Sequence, residues 1–432
     1  MKALLSTMKK NKLKILLFAS DKRCFNYLIN IYRELARQGH EVFFLHTASE
    51  RTKYPSINLD HFTYVSNIDY NPNSGVFSRS LNIPLPFTPD YLILSRERWH
   101  PEQGIIQEFK EGFNSKIALL EINTAVLRGY EVILEYHSRN QYPQSMIDLY
   151  FDHSDFSLQS RIEFTFQNSN RSLIVGNPKY DNLMEYRPTR ESLQHFNQQY
   201  EIDPSKKNVL WYSTQTLGRN KCLNALERFS QRYNREYNIF YKAFPGEPYE
   251  PRYSSHFIKT PTKVEISIPG VKLIEGDTDL FYLSYMCDLH IGTISSVMYF
   301  PLVLSKKIVN LHNLSNSEFK ATEINTLFEH NEDIASGQTG RACDFWVGVN
   351  NLKSTDELIE LIGVDRLEKF KIDNKETRQI ISRNTIDWDN EFKFLSIEPP
   401  NNKELLNLFD NFNDFNASER IVNELKKDSQ NG

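Results

Sequence analysis

The stretch that most constrains the fold of this chain is residues 276–311. Apolar residues recur at helical spacing over 280–286, a short apolar run follows at 289–292, a second helical pattern covers 297–304, and 308–311 is apolar again. Continuous apolar strands that alternate with helices are typical of a parallel sheet covered by helices on both faces. The stretch therefore predicts part of a doubly wound α/β domain.

Hydroxyl side chains stand where the strand at 289–292 gives way to the next helix. They are Thr293, Ser295 and Ser296. Backbone N–H groups at the start of a helix lack partners within it, and the helix dipole is positive there, so a phosphate group is favoured. The same serines also suit the simpler role of capping the helix. The pattern thus predicts either a phosphate-binding turn or a capped helix.

The same alternation of strands and helices runs along both halves of the chain. The apolar runs that predict further strands are 14–20, 41–47, 91–94, 116–121, 132–136, 172–175, 208–213, 238–242, 271–275 and 345–349. The further helical patterns are 25–35, 104–110, 220–233, 356–361, 405–412 and 418–425. A polar segment that contains two prolines, 188–207, separates the halves and suits a connector.

These patterns predict an α/β protein with two Rossmann-like domains. The predicted boundaries are 1–187 for the N-terminal domain, 188–207 for the linker, 208–380 for the C-terminal domain and 381–432 for a helical segment. Two doubly wound domains joined in this way place a ligand in the cleft where the carboxyl ends of their strands meet. No GxGxxG motif follows the first strand, so a dinucleotide-dependent enzyme is disfavoured.

Composition and charge exclude other classes of protein. The 432 residues include 51 Lys and Arg against 55 Asp and Glu, and no block of like charge occurs, so we expect no nucleic-acid partner. The four cysteines form no CxxC pair and are expected to be reduced, buried thiols. They are Cys24, Cys222, Cys287 and Cys343.

The beginning of the sequence predicts a cytoplasmic protein. It combines lysines with a weak apolar run and lacks a small-residue cleavage site, so it does not make a signal peptide. No apolar run reaches the roughly 18 residues that span a bilayer. The lysines either solubilise the chain or make a peripheral contact with anionic lipid at the inner membrane face. They are Lys2, Lys9, Lys10, Lys12 and Lys14.

Five segments carry a resemblance to a known group of enzymes. They are GNPKYD at 176–181, VLWYST at 209–214, YKAFP at 241–245, DLHIGTISSV at 288–297 and NASERIV at 416–422. In this order they resemble motifs of the teichoic-acid CDP-glycerol glycerophosphotransferases and of related surface-polysaccharide glycosyltransferases. The resemblance implies the GT-B fold, in which two Rossmann-like domains face a central cleft and the second domain binds the nucleotide donor.

Two positions depart from the motifs of that group. Phe244 stands where those enzymes have a histidine, and Thr293 stands where they have an aspartate. Without the histidine, a partner for the phosphodiester of a polyol-phosphate donor is missing. The departure therefore favours a nucleotide-activated sugar over CDP-glycerol as the donor.

The resemblance also implies which residues carry the chemistry. Glycosyl transfer needs a base for the proton of the acceptor hydroxyl and positive groups for the departing phosphate. The candidate bases are His137, which follows the predicted strand 132–136, and Glu121, which ends the strand 116–121. The candidate donor-binding residues are Arg139, Thr214, Lys242, Glu247, Thr293, Ser295 and Ser296.

We predict no tightly bound metal or cofactor. His153 and Asp155 resemble a metal-binding pair, but together with Asp152 they lie too close along one turn of chain to be expected to converge on an ion, and no further ligand is evident. The nucleotide-activated sugar is a substrate rather than a resident cofactor.

The resemblance thus implies an inverting glycosyltransferase that uses a nucleotide-activated sugar. Its expected acceptor is a glycan or a lipid-linked glycan, and its expected process is the synthesis of a bacterial surface or capsular polysaccharide. Three alternatives stay open: a polyol-phosphate transferase that uses CDP-glycerol or CDP-ribitol, a nucleotide-sugar epimerase of related fold, and a non-catalytic scaffold.

Overall fold

The structure is a computed structural model that divides the chain into two compact units. It describes residues 12–19, 22–46, 63–64, 85–95, 100–120, 146–158, 171–181, 183, 188–213, 219–243, 257–259, 264–274, 280–292, 296–311, 379–380, 382–388 and 391–431. The described residues of the first unit lie within Met1–Ala125, Arg139–Glu185 and Asn407–Gly432, and those of the second lie within Tyr186–Leu406.

The order of elements along the chain is an alternation of strands and helices. The strands are β1 (Lys14–Ala19), β2 (Glu41–His46), β3 (Thr63–Tyr64), β4 (Tyr91–Leu94), β5 (Lys116–Leu120), β6 (Leu149–Asp152), β7 (Ser172–Ile174), β8 (Lys207–Tyr212), β9 (Tyr237–Lys242), β10 (Phe257–Lys259), β11 (Val264–Ile266), β12 (Val271–Ile274), β13 (Leu289–Gly292), β14 (Lys307–Asn310) and β15 (Ile386–Asp387). The principal α-helices are α1 (Lys22–Arg37), α2 (His100–Gln107), α3 (Arg190–Gln199), α4 (Arg219–Tyr233), α5 (Leu280–Met286), α6 (Tyr299–Val303), α7 (Lys403–Phe409) and α8 (Ala417–Asn431).

The first unit contains a parallel sheet in the order β3-β2-β1-β4-β5-β6-β7. Successive residues of a strand point to opposite faces, and in β1 both sets are apolar and buried. Ile15 and Leu17 lie in the core that α1 and α8 cover, whereas Leu16 and Phe18 lie in the core on the other face. Burial on both faces explains why the strand is a continuous apolar run.

The second unit contains a parallel sheet in the order β12-β9-β8-β13-β14-β15. A separate antiparallel hairpin joins β10 and β11. One face of the sheet carries a large aromatic core, in which Trp211 of β8 contacts Phe229 of α4 and Trp388, which follows β15. On the other face, Phe240 of β9 packs against Phe196 of α3.

Most of the described elements agree with the sequence patterns. The predicted bounds of β4, α5 and β13 are those of the structure, and most other bounds shift by a few residues at an end. No pattern predicts β3, β6, β10, β11 and β15, which have only two to four residues each. The predicted strands 132–136 and 345–349 and the predicted helix 356–361 lie outside the described residues.

In three segments the structure differs in detail from the sequence prediction. The predicted helix 104–110 is the end of α2 followed by a π-helical turn, Glu108–Gly112. The predicted helix 297–304 is a 3₁₀ turn, Ser296–Met298, followed by α6. The segment predicted as a connector contains α3, whose first turn is capped by the Thr189 hydroxyl accepting from Ser192 N at 3.2 Å.

Two predictions from composition also bear on the described residues. Cys24, Cys222 and Cys287 are buried thiols, as expected, whereas Cys343 lies outside those residues. No helix in the described part of the chain combines the length and the apolar character that a bilayer span requires.

Candidate functional site

The order in which strands are added to the second sheet reverses between β8 and β13. The chain adds β9 and β12 on one side of β8, and β13, β14 and β15 on the other side. In open parallel sheets, ligands bind outside the carboxyl ends of the strands where the order reverses. The carboxyl ends at this point are Tyr212 and Gly292.

Five residues form a row across this carboxyl edge, which we call the edge row. From β9 to β15 they are Lys242, Tyr212, Gly292, Asn310 and Asp387. In the strand register, Lys242 is the Cα partner of Tyr212, Gly292 that of Asn310, and Asn310 that of Asp387. Tyr212 and Gly292 each come one residue after a pair of Cα partners, so they are also neighbours. Cα partners in a parallel sheet project to the same face. The side chains of Lys242, Tyr212 and Asn310 therefore lie on one face of the sheet, opposite the face with the aromatic core.

Gly292 lets the chain pack closely in the middle of the edge row. A Cβ atom at this position would lie 2.7 Å from Met298 Cε and 3.1 Å from Tyr212 Cβ. Met298 belongs to the 3₁₀ turn that precedes α6. A side chain at Gly292 would therefore displace the Met298 side chain and crowd Tyr212.

A buried polar network holds the end of β8. The Tyr212 hydroxyl lies 3.1 Å from His290 Nδ1 and 3.3 Å from Ser284 Oγ, and Ser284 Oγ donates to the Leu280 carbonyl at 2.8 Å. Burial, reinforced by the nearby Lys306, lowers the pKa of His290 to about 3. Burial also raises the pKa of Tyr212. At neutral pH the network is therefore uncharged, and it fixes Tyr212 beside Gly292 without placing a charge in the core.

Asn310 is the buried member of the edge row on β14. Its side chain is 1% exposed, and its Oδ1 atom has no hydrogen-bond partner among the described residues. The backbone carbonyl of Asn310 is paired, because it accepts from Trp388 N at 3.0 Å. The orphan acceptor is thus the side-chain amide oxygen.

Of the residues predicted to bind the donor, the structure places one fully. Lys242 ends β9, is half-buried and lies in the edge row. Ser296 begins the 3₁₀ turn after β13, at the same edge of the sheet. The side chain of Ser296 is not among those described, and the other candidates lie outside the described residues: Glu121, His137, Arg139, Thr214, Glu247, Thr293 and Ser295.

Two of the segments that carry the resemblance contact each other in the first unit. Asp181, which ends GNPKYD, accepts from Ala417 N at 3.0 Å and from Ser418 N at 2.6 Å. These N–H groups start α8, so Asp181 caps that helix. Asp410 accepts from Asn177 N at 2.9 Å, which is a second link between GNPKYD and the C-terminal part of the chain. GNPKYD therefore fastens the C-terminal part of the chain to the first sheet.

His153 and Asp155 take part in the same packing. His153 Nδ1 lies 3.3 Å from Asn177 Nδ2, and the ring stacks on Tyr27 with 5.7 Å between centroids. Asp155 instead accepts a hydrogen bond from Asn411 Nδ2. Within the described ranges, no group of three His, Cys, Asp or Glu side chains is placed to hold a metal ion.

Burial gives Asp181 an unusual pKa. Burial, together with the neighbouring Asp410, raises the pKa of this carboxyl from 3.8 to about 6, although hydrogen bonds from Ser418 and Ala417 act to lower it. The pKa of Asp410 is also raised by burial. The protonated form of Asp181 is thus favoured by folding.

We expect Asp181 to make the stability depend on pH in a defined window. Between pH 4 and 6 the folded chain holds a proton on Asp181 that the unfolded chain releases, so the free energy of unfolding falls as pH rises through this range. The Asp181 contribution amounts to a loss on the order of 3 kcal/mol. Urea denaturation from pH 4 to 7 measures it in the native protein and in Asp181→Asn, which lacks the titrating group. Parallel curves for the two proteins would contradict this assignment.

No family model matches this chain, and no curated protein matches it either. Solved structures do. A UDP-GlcNAc 2-epimerase from Methanocaldococcus jannaschii has a TM-score of 0.53 at 14% identity, covering 96% of this chain and 100% of that one. The S. aureus MnaA–UDP co-structure has a TM-score of 0.51 at 14% identity, covering 96% of each chain. Both are GT-B proteins.

The chain has the GT-B fold. This confirms the predicted fold class and the predicted likeness to GT-B proteins. A further solved structure, the wall teichoic acid polymerase TagF, has a TM-score of 0.46 at 12% identity, covering 88% of this chain and 93% of that one. Identities this low extend the likeness to the fold alone.

Within the GT-B fold, the sequence patterns predicted two residues of the carboxyl edge of the second sheet but not the residues beside them. Lys242 and Ser296 stand at transitions out of a strand, which a sequence pattern marks. Tyr212, Gly292 and Asn310 appear in the sequence only as strand residues, because their alignment in one row depends on the register between strands far apart in the chain. The Gly-Thr-x-Ser-Ser order after a buried strand is the one signal that pointed toward Gly292.

Proposed function

We propose that this protein is an enzyme that acts on a nucleotide-activated sugar and transfers the sugar to an acceptor. The observation that carries the proposal is the edge row at the reversal of the second sheet, where Gly292, which has no side chain, lies against the Met298 side chain of the turn that starts at Ser296. Backbone N–H groups at such a turn suit the oxygens of a diphosphate. The fold shared with a protein solved with UDP and with a UDP-GlcNAc 2-epimerase supports the same ligand class.

The donor-binding roles follow from the chemistry of the side chains. Lys242 supplies a point charge to a phosphate oxygen, and the hydroxyls of Thr293, Ser295 and Ser296 donate to the diphosphate. Arg139 adds a bidentate contact to phosphate. The remaining donor contacts are those of Thr214 and Glu247, with Glu247 accepting from a ribose or sugar hydroxyl.

Transfer with inversion requires one base. The acceptor hydroxyl attacks the anomeric carbon, the bond from that carbon to the phosphate oxygen breaks, and the nucleoside diphosphate leaves with the bonding electrons. His137 or Glu121 takes the proton of the hydroxyl. The acceptor in this proposal is a glycan or lipid-linked glycan of a bacterial surface or capsular polysaccharide, reached at the inner membrane face.

A second candidate function is epimerisation of the nucleotide sugar. It is supported by the UDP-GlcNAc 2-epimerases among the solved structures that share this fold. The two reactions share the donor and differ in the need for an acceptor. Incubation with UDP-GlcNAc, with and without acceptor, followed by NMR, separates the two reactions. Formation of a sugar epimer without acceptor favours the epimerase. A UDP-GlcNAc that stays unchanged without acceptor and is consumed when acceptor is added favours the transferase.

We expect one nucleotide series to stabilise the protein. The screen measures melting temperatures with CMP, CDP, UDP, GDP and their sugar or polyol conjugates, because a ligand that binds only the folded state stabilises it by about 2.7 kcal/mol at 100 times its Kd. The double variant Ser295→Ala, Ser296→Ala is expected to lose this stabilisation.

The matched control is Ser205→Ala, which removes an exposed serine just before β8, at the opposite edge of the same sheet. This variant is expected to keep the full shift. A protein whose melting temperature responds to none of the compounds would refute the proposal and favour the non-catalytic scaffold. A response to CDP-glycerol or CDP-ribitol alone would favour the polyol-phosphate transferase.

A further inference from the structure

We infer that Asn310 binds a hydroxyl group of the nucleotide sugar, either on the ribose or on the transferred sugar. The inference rests on the proposed function and deepens it, because it assigns a sugar-recognising residue that the sequence did not reveal. The position of Asn310, its unpaired amide oxygen and the chemistry of the amide support this assignment.

The position of Asn310 is fixed by the strand register. It is the last residue of β14 and the Cα partner of Gly292. Adjacent strands lie about 4.8 Å apart, so the Asn310 side chain stands on the same face as Tyr212 and Lys242, next to the carboxyl end of β13. Lys242 stands on the other side of Gly292 from Asn310, on β9, which is two strands from β13. A diphosphate held beyond the carboxyl end of β13 would have the cation on one side and the amide on the other.

The amide of Asn310 differs from those of the other buried asparagines. In the described part of the chain, the side chains of Asn30, Asn177, Asn238 and Asn384 are buried and make hydrogen bonds. Asn310 Oδ1 is also buried and has no partner there. A buried polar group without a hydrogen bond is costly, and such groups in native proteins call for a specific explanation. A bound ligand provides one.

The chemistry of an amide selects the ligand group. Asparagine presents an acceptor oxygen and a donor NH₂ group. A phosphate oxygen only accepts and would leave the Asn310 oxygen unpaired. A hydroxyl can donate to that oxygen and can also accept from the NH₂ group. The edge row thus offers separate contacts for the phosphate, at Lys242 and the turn, and for a hydroxyl, at Asn310.

The test compares Asn310→Ala with Asn238→Ala by calorimetric titration with UDP and UDP-GlcNAc, and by urea denaturation without ligand. Asn238 is the matched control, because it is buried at the amino edge of the same sheet and its amide bonds to Asp203 O at 2.8 Å and Asn208 Oδ1 at 3.0 Å. We expect Asn238→Ala to lower stability and to leave binding unchanged. We expect Asn310→Ala to keep more of the stability of the native protein and to weaken binding by about tenfold.

The compounds that bind more weakly to Asn310→Ala identify the hydroxyl that Asn310 contacts. Weaker binding of both UDP and UDP-GlcNAc assigns Asn310 to the ribose, and weaker binding of UDP-GlcNAc alone assigns it to the transferred sugar. Unchanged binding of both compounds overturns the inference and leaves the proposed function standing. A loss of stability equal to that of Asn238→Ala also overturns it, because the amide would then already be paired within the protein. If the native protein binds neither these two compounds nor any other nucleotide or conjugate of the thermal screen, the proposed function and this inference fail together.

Discussion

Replacing Gly176 by alanine is expected to lower the free energy of unfolding by about 3 kcal/mol. Gly176 has a φ of +84°, which L side chains rarely adopt, and a Cβ atom added there would lie 2.8 Å from Arg420 Nη2 and 3.0 Å from Asp410 Oδ1. The side chain would therefore add a steric collision to the backbone strain.

The groups that the new methyl would meet have little room to move. Arg420 donates to the Val175 carbonyl at 2.7 Å and to Asp414 Oδ2 at 2.7 Å, and its guanidinium stacks on Phe412. Asp410 accepts from three backbone N–H groups, those of Asn177, Phe412 and Asn413. Displacing either side chain breaks hydrogen bonds, and the loss is most costly at Asn177 N, whose bond to Asp410 is buried.

Gly39→Ala is the matched control for this prediction. Gly39 has nearly the same φ, +81°, and follows α1, but no neighbouring atom lies within 4 Å of the place that a Cβ atom would take. This variant should lose only the backbone component, about 1 kcal/mol. Urea denaturation followed by circular dichroism measures both variants. Equal losses at the two positions would show that the contacts with Arg420 and Asp410 contribute nothing.

Truncating Phe229 to alanine is expected to cost about 4 kcal/mol. Phe229 on α4 is fully buried in the aromatic core of the second unit. Its ring contacts Trp211 at 5.7 Å between centroids, Tyr233 at 5.1 Å and Phe392 at 5.5 Å. The cost combines lost burial, a cavity and lost aromatic pairs. The variant tests whether residues after β15 are anchored to the second sheet, since Phe392 belongs to that segment.

Phe412→Ala controls for the removal of a phenyl ring. Phe412 is 45% exposed and contacts the Arg420 guanidinium at 3.9 Å from the ring centroid. Its loss should cost no more than about 1 kcal/mol. The stability of both variants is measured by thermal unfolding and by the fluorescence of Trp211, which lies against Phe229. A small effect of Phe229→Ala, close to that of Phe412→Ala, would contradict the observed core.

The sequence by itself determined the class of fold and the order of its main elements. Strands buried on both faces must be continuously apolar, and helices that cover them must repeat their apolar residues with the helical period, so both leave a local record in the chain. The patterns therefore predict the strand β13 and the helix α5 with their observed bounds. Lys242 and Ser296 are predicted at the sheet edge for the same reason, because they stand where a strand ends.

Only the tertiary structure decided what the buried polar residues do. Asp181 belongs to a short motif in the sequence, yet it caps a helix that begins more than 200 residues later. Asn310 ends an apolar strand in the sequence, and only its pairing with Gly292 brings it to the edge row. Contacts of this kind join residues that are distant in sequence, and they depend on register and on the path of the chain. Periodicity records which face of an element is apolar, but it does not record which polar groups from different elements meet.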